Sequence, residues 1–129
     1  MDNQISYTQI AHWDCGPTCL AWYIGSEPKN VRMIAKKIPT YSDGLDGYEM
    51  ENVMDELGIL YQPIIPSEVN KEFCANKTLL CMIFHQSPRF KGNHWIILDR
   101  SGKHDPLLGM VSQPLISHSF IRVYLLERR

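Results

Sequence analysis

The hydrophobic pattern changes period at Gly58, and that change limits the chain to one broad class of fold. Before it, apolar residues recur at helical spacing: Val31, Ile34, Ala35 and Ile38 fall at i, i+3, i+4 and i+7, and Met50, Val53, Met54 and Leu57 share one face of a later stretch. After it, apolar residues come in short continuous runs, the longest being the six residues from Leu79 to Phe84. Runs of that length suit buried strands. Helices first and strands after predicts an α+β domain, an N-terminal helical layer packed on a C-terminal antiparallel sheet.

Turn and cap residues set the expected boundaries. Pro17 at a first helical position, followed by Thr18 to Ile24 and a stop at Gly25, predicts a short helix whose N-terminus carries Cys15. A second helix is expected from Asn30 to Ile38, halted by Pro39, and a third ends at Gly58. Tyr41 to Gly47 reads as a loop, Leu60 to Ile65 as a short apolar segment, and Ser67 to Ala75 as a helix capped by Ser67. Strands are expected at Thr78–His85, at His94–Arg100, on a returning arm from Lys103 to Leu108 after a Ser101-Gly102 turn, and at Val123–Leu126.

A chain of 129 residues has room for one domain, 1–129, with a core large enough to need neither metal nor cross-links. Its formal charge of -1 gives no field that would collect nucleic acid or an anionic membrane. The six-residue apolar run is far short of the roughly 20 residues of a membrane-spanning helix, so no membrane span is expected. Met1-Asp2-Asn3-Gln4 lacks the charged and apolar regions of a secretory signal. Cys15, Cys19, Cys74 and Cys81 are therefore read as thiols in a reducing compartment, in the cytoplasm or in a protein delivered into a target cell by a non-Sec route.

Cysteine chemistry needs a thiolate, and the positive end of a helix dipole favours that anion. Cys15 is thus the best nucleophile in the sequence, against the alternative of a small buried apolar residue. A nucleophilic thiol also needs a base, a group to orient the base, and donors for an oxyanion. His94, expected to open a strand after a flexible Lys91-Gly92-Asn93, suits the base; Asp105 on the hairpin's returning arm suits the orienting group; Gln9, beside the Cys15 N–H, suits the oxyanion donor. Singly, each has a plainer reading: Gln9 as a surface polar residue, His94 as a satisfied strand-end histidine, Asp105 as a turn residue before Pro106.

A resemblance joins these residues. The segment Gln9-Ile10-Ala11-His12-Trp13-Asp14-Cys15-Gly16-Pro17-Thr18-Cys19-Leu20-Ala21 resembles the active-site segment of the C39 and C39-like peptidases, bacterial cysteine peptidases of papain-like fold. His94-Trp95-Ile96-Ile97-Leu98 is similar to that family's histidine and following apolar strand, and Asp105-Pro106 with Gly109 to its Asp-Pro-x-x-Gly block. The resemblance implies a single papain-fold domain with Cys15 as nucleophile, His94 as general base and acid, Asp105 as orienter of His94 and Gln9 in the oxyanion hole. It implies no cofactor and a peptide or protein substrate, with an inhibitor or delivery partner as a further expectation. The family's aromatic-x-Gly close is replaced here by Phe120-Ile121-Arg122-Val123-Tyr124, a departure that bears on a leader-peptide substrate.

Two other functions use the same architecture. Papain-fold bacterial effectors and toxins that deamidate or transamidate a target glutamine resemble this arrangement, and a catalytically idle domain of the family would bind peptide only. Among the neighbours, Cys19 stacks one turn beyond Cys15 and reads as core in preference to a zinc ligand, since no Cys-x-x-Cys pair is present. His104 adjoins Asp105 but would face the other way in a strand. His12 and Trp13 shape the cleft or pack under the helix, and Asp43, Asp46, Glu49 and Glu51 form a solvated acidic loop without the ligand order of a calcium site.

Overall fold

Two of the three helices described end at a glycine that takes the backbone out of right-handed space. In a computed structural model, residues 14–39, 44–69, 76–86, 91–99, 102–106, 109–111 and 120–127 are described. Among them are α1 (Cys15–Ile24), α2 (Pro28–Ala35) and α3 (Gly47–Leu57), then β1 (Leu60–Ile64), β2 (Thr78–Gln86), β3 (Lys91–Asp99), β4 (Gly102–Asp105), β5 (Gly109–Val111) and β6 (Phe120–Glu127). Gly25 and Gly58 close α1 and α3 at φ 72°, a conformation a side chain would strain. Asp46 opens α3 with a reciprocal capping box: its carboxylate accepts the Glu49 N–H at 2.8 Å while Glu49 accepts the Asp46 N–H at 2.9 Å.

The strands form one sheet in the order β1-β6-β2-β3-β4-β5, with every pairing antiparallel. The last strand is thus inserted between the first and the second, and β2 and β3 lie at the centre. Alternation sorts their side chains onto two faces. Leu80, Met82, Trp95, Ile97, Tyr124 and Leu126 pack with Leu20, Val31, Met50, Val53 and Met54 of the helices. On the opposite face Leu79, Cys81, Ile83, Ile96, Leu98 and Val123 form a second buried cluster, against which Ile64 and Val69 pack. Strands buried on both faces need apolar residues at every position, which accounts for the unbroken run in β2. Each buried Leu or Ile contributes roughly 1.5–3 kcal/mol relative to exposure. The α+β class expected from the change in period is the class observed.

A polar network ties α3 to β6. Tyr124 donates to Glu51 Oε2 at 2.6 Å and lies 3.2 Å from the Gly47 carbonyl, while Arg122 Nη1 donates to the Tyr124 hydroxyl at 3.3 Å. Burial, and then the bond to Glu51, push the Tyr124 hydroxyl up to about 12, against a smaller downward pull from Arg122. Gly47 lets the Arg122 side chain lie against the start of α3: a Cβ there would push the guanidinium aside.

Several boundaries differ from those expected. α1 starts at Cys15, so Pro17 is its third residue and Asp14 its N-cap. α2 starts at Pro28 and ends at Ala35, because Pro39 bars its predecessor from helical space and the chain leaves through tighter bonds from Lys37 to Ile34 (3.2 Å) and Ile38 to Ala35 (3.0 Å). Ser67 sits inside a single 3-10 turn, Pro66–Glu68, and does not cap a helix there; the rest of that expected helix, from residue 70 to 75, lies outside the described residues. β3 begins at Lys91, not at His94, since Gly92 and Asn93 pair with His85 and Phe84 of β2.

Candidate active site

The start of α1 is seated against two other elements. A Cβ on Gly16 would stand 2.6 Å from Met50 Sδ and 3.3 Å from Trp95 Cδ1, so only glycine lets the helix N-terminus approach α3 and β3 this closely. Thr18 reaches back to the Asp14 carbonyl through its hydroxyl at 2.9 Å and its N–H at 3.2 Å, closing the first turn. Asp14 itself is fully buried, and its carboxylate does not cap the helix. It accepts both short contacts of Arg32 Nε, 2.9 Å to Oδ1 and 3.0 Å to Oδ2. Arg32 comes from α2, so this ion pair fastens the two helices together beside the thiol.

Both thiols of α1 engage the backbone of a single strand residue. The Trp95 N–H donates to Cys15 Sγ at 3.5 Å, and Cys19 Sγ donates to the Trp95 carbonyl at 3.4 Å. A residue's N–H and carbonyl point sideways, in the plane of the sheet. Pairing of β3 with β4 covers Ile97, Leu98 and Asp99. Beside Trp95 it is therefore the start of α1 that meets the strand, and the Cys15 sulfur lies against the strand's lateral edge while α1 packs in the cluster on the helix side of the sheet. The Trp95 indole is fixed in turn by donation to the Leu45 carbonyl at 2.8 Å. Cys15 and Cys19 are both buried, 4% and 3% exposed, and the reading of Cys19 as core holds.

His94 directly precedes the residue whose N–H meets the sulfur, so its Cα lies about 3.8 Å from that of Trp95. It is fully buried and pairs across the sheet with Ile83, which puts it on the face away from the helices, next to the edge that Cys15 occupies. The expectation of an imidazole projecting from a strand end into a cleft is therefore corrected: His94 is the fourth residue of β3 and is enclosed. The structure brings Cys15 and His94 to neighbouring positions, and the polar contact to the sulfur is the Trp95 amide. Asp105 is the last residue of β4, one beyond His104, whose Cα pairs with Ile97; its side chain lies outside the described part. Gln9, with His12 and Trp13, lies outside the described residues altogether.

His104, the rival base, is engaged elsewhere. Its Nε2 is 3.0 Å from Asp99 Oδ2, and its ring stacks on Trp22 of α1 at 3.7 Å. Among the described residues no group of three or more His, Cys, Asp or Glu is arranged to hold a metal ion, and no helix is long and apolar enough to cross a membrane. What sequence reasoning missed is the Asp14–Arg32 pair. Nothing local in the sequence links positions 18 residues apart.

No family model matches the chain, and no curated protein matches it either. The arrangement is a thiol on the first residue of a helix, an amide N–H aimed at its sulfur, a buried imidazole one residue earlier in the strand, and a carboxylate paired with arginine beside the thiol.

Proposed function

We propose that the chain is a thiol hydrolase of the C39-like, papain-fold kind that cleaves a peptide bond in a peptide or protein substrate. Cys15 is the nucleophile, His94 the general base and acid, Asp105 the group that orients the imidazole, and Gln9 with the Cys15 N–H the donors for the oxyanion. The single observation that carries this reading is the 3.5 Å contact from the Trp95 N–H to Cys15 Sγ, because it joins the start of α1 to the residue following His94 across 80 positions of sequence. A helix N-terminus and a strand amide directed at one sulfur both favour negative charge there.

In the reaction, the Cys15 thiol gives its proton to His94 as its sulfur attacks the scissile carbonyl carbon, and the carbonyl oxygen takes the charge. His94 passes a proton to the leaving amine as the C–N bond breaks. Water, deprotonated by His94, then displaces the sulfur from the thioester and frees the carboxylate product. No metal or redox partner is required.

The test is incubation of the protein with a proteome-derived peptide library, with new termini read by mass spectrometry. Cleavage by the wild type that is lost in both Cys15→Ala and His94→Ala supports the reading. Equal cleavage by Cys15→Ala overturns it, and a gain of about 1 Da on glutamine without chain scission assigns the same thiol to deamidation instead.

A further inference from the structure

Arg32 stands where sequence gives no reason for a functional residue, yet it holds a buried carboxylate adjoining the thiol. We infer that Arg32 is a positioning residue for Cys15: it draws the Asp14 carboxylate aside and neutralises it, keeping the α1 N-terminus open to negative charge on the sulfur or on a bound carbonyl oxygen. The inference rests on the reading of Cys15 as nucleophile.

Three observations carry it. Aspartate at an N-cap ordinarily turns its carboxylate onto the N–H of the second or third helical residue. Here the third residue is Pro17, which has no N–H, and the Asp14 side chain makes no cap bond. Its oxygens go to Arg32 Nε at 2.9 and 3.0 Å, with the Thr18 hydroxyl 3.2 Å from Oδ2. Secondly, Asp14 has no exposure and the Arg32 side chain 16%, so water does little to screen the carboxylate if the guanidinium is removed. Thirdly, Asp14 is covalently next to Cys15. A carboxylate there without the guanidinium's countercharge opposes negative charge on the sulfur by repulsion, and one no longer drawn aside by Arg32 competes for the helix N-terminus with the very charge the site has to stabilise.

The pair is therefore an arrangement in which the Arg32 guanidinium cancels the Asp14 charge beside the nucleophile. Such a role separates from simple stapling of α1 to α2. If Arg32 merely staples, losing either partner weakens the fold and losing both does so no less. If Arg32 neutralises Asp14, removing Asp14's charge as well relieves the defect in reactivity.

The experiment measures carbamidomethylation of Cys15 by iodoacetamide at pH 7, located by peptide mapping, in the wild type, Arg32→Met, Arg32→Lys and the double variant Asp14→Asn/Arg32→Met, each shown folded by circular dichroism. The expected result is a rate at least tenfold lower in Arg32→Met, partly restored in Arg32→Lys and brought to within about threefold of wild type in the double variant. Equal rates in wild type and Arg32→Met overturn the inference while leaving the nucleophile in place; so does a double variant as slow as Arg32→Met. If Arg32→Met does not fold, the comparison of the double variant with Arg32→Lys decides: a double variant slower than Arg32→Lys overturns the inference. A wild-type Cys15 that resists the reagent removes the proposed function itself.

Discussion

Replacing Tyr124 by phenylalanine tests the link between α3 and the sheet at the level of one hydroxyl. The ring is fully buried and stacks at 6.2 Å from Trp95, so the substitution keeps the packing and removes only the polar atom. That atom donates to Glu51 at 2.6 Å, and a hydrogen bond to a charged group contributes about 1.5–3 kcal/mol. Arg122 remains 3.7 Å from the Glu51 carboxylate, and both side chains keep some contact with water, which sets the expected loss at the lower end, about 1.5 kcal/mol. For a chain of this length that lowers Tm by about 5 °C. The loss has a pH signature. The unfolded phenol ionises near 10, and in the folded protein burial and the Glu51 bond push it up to about 12. The folded state prefers the protonated phenol, so its contribution is complete below pH 10 and is lost as pH climbs from about 10 through about 12. Urea unfolding of both proteins at pH 7, 9 and 11 measures it: the gap between them stays level from pH 7 to 9 and narrows by pH 11. A gap below about 0.5 kcal/mol at pH 7, or one that does not narrow on the alkaline side, refutes the reasoning.

Asp46→Ala removes the capping box of α3 and is expected to cost about 1 kcal/mol in urea unfolding, with an unchanged m-value. Lys37→Ala breaks a 3.1 Å ion pair with Glu56 whose side chains are 69% and 48% exposed, so its loss is expected to move stability by less than about 0.5 kcal/mol. Leu80→Ala empties a site with no exposure between the helices and the sheet; about 3 kcal/mol is expected, and a smaller effect would mean that the core closes around the gap.

What sequence could convey about this fold was its local part. Met50, Val53 and Met54 lie buried on one face of α3, and Gly58 ends it, because helical spacing and a left-handed stop are properties of neighbouring residues. The unbroken run from Leu79 was legible as a strand for the same reason. Lys91-Gly92-Asn93 was not, since nothing apolar marks it; it is extended because Phe84, His85 and Gln86 lie opposite. Sequence alone starts α2 late because Pro28 serves as its first residue, and it does not show the 3-10 turn at Ser67 because a serine after proline also suits a cap. At the site, Cys15 on the first turn of α1 followed from its neighbours. Its contact with Trp95, the enclosure of His94 and the pairing of Asp14 with Arg32 depend on elements meeting across 18 to 80 positions, and no spacing rule reports such meetings.

The account rests on the thiol and the imidazole acting as a pair, and the most direct measurement is the rate at which iodoacetamide modifies each cysteine of the native protein near neutral pH, in the wild type and in His94→Gln. The pair predicts that Cys15 reacts well ahead of the buried Cys19 and Cys81 and that His94→Gln slows it by about tenfold or more. Modification of Cys15 only when the chain unfolds, in step with Cys19 and Cys81 and indifferent to His94, would contradict it.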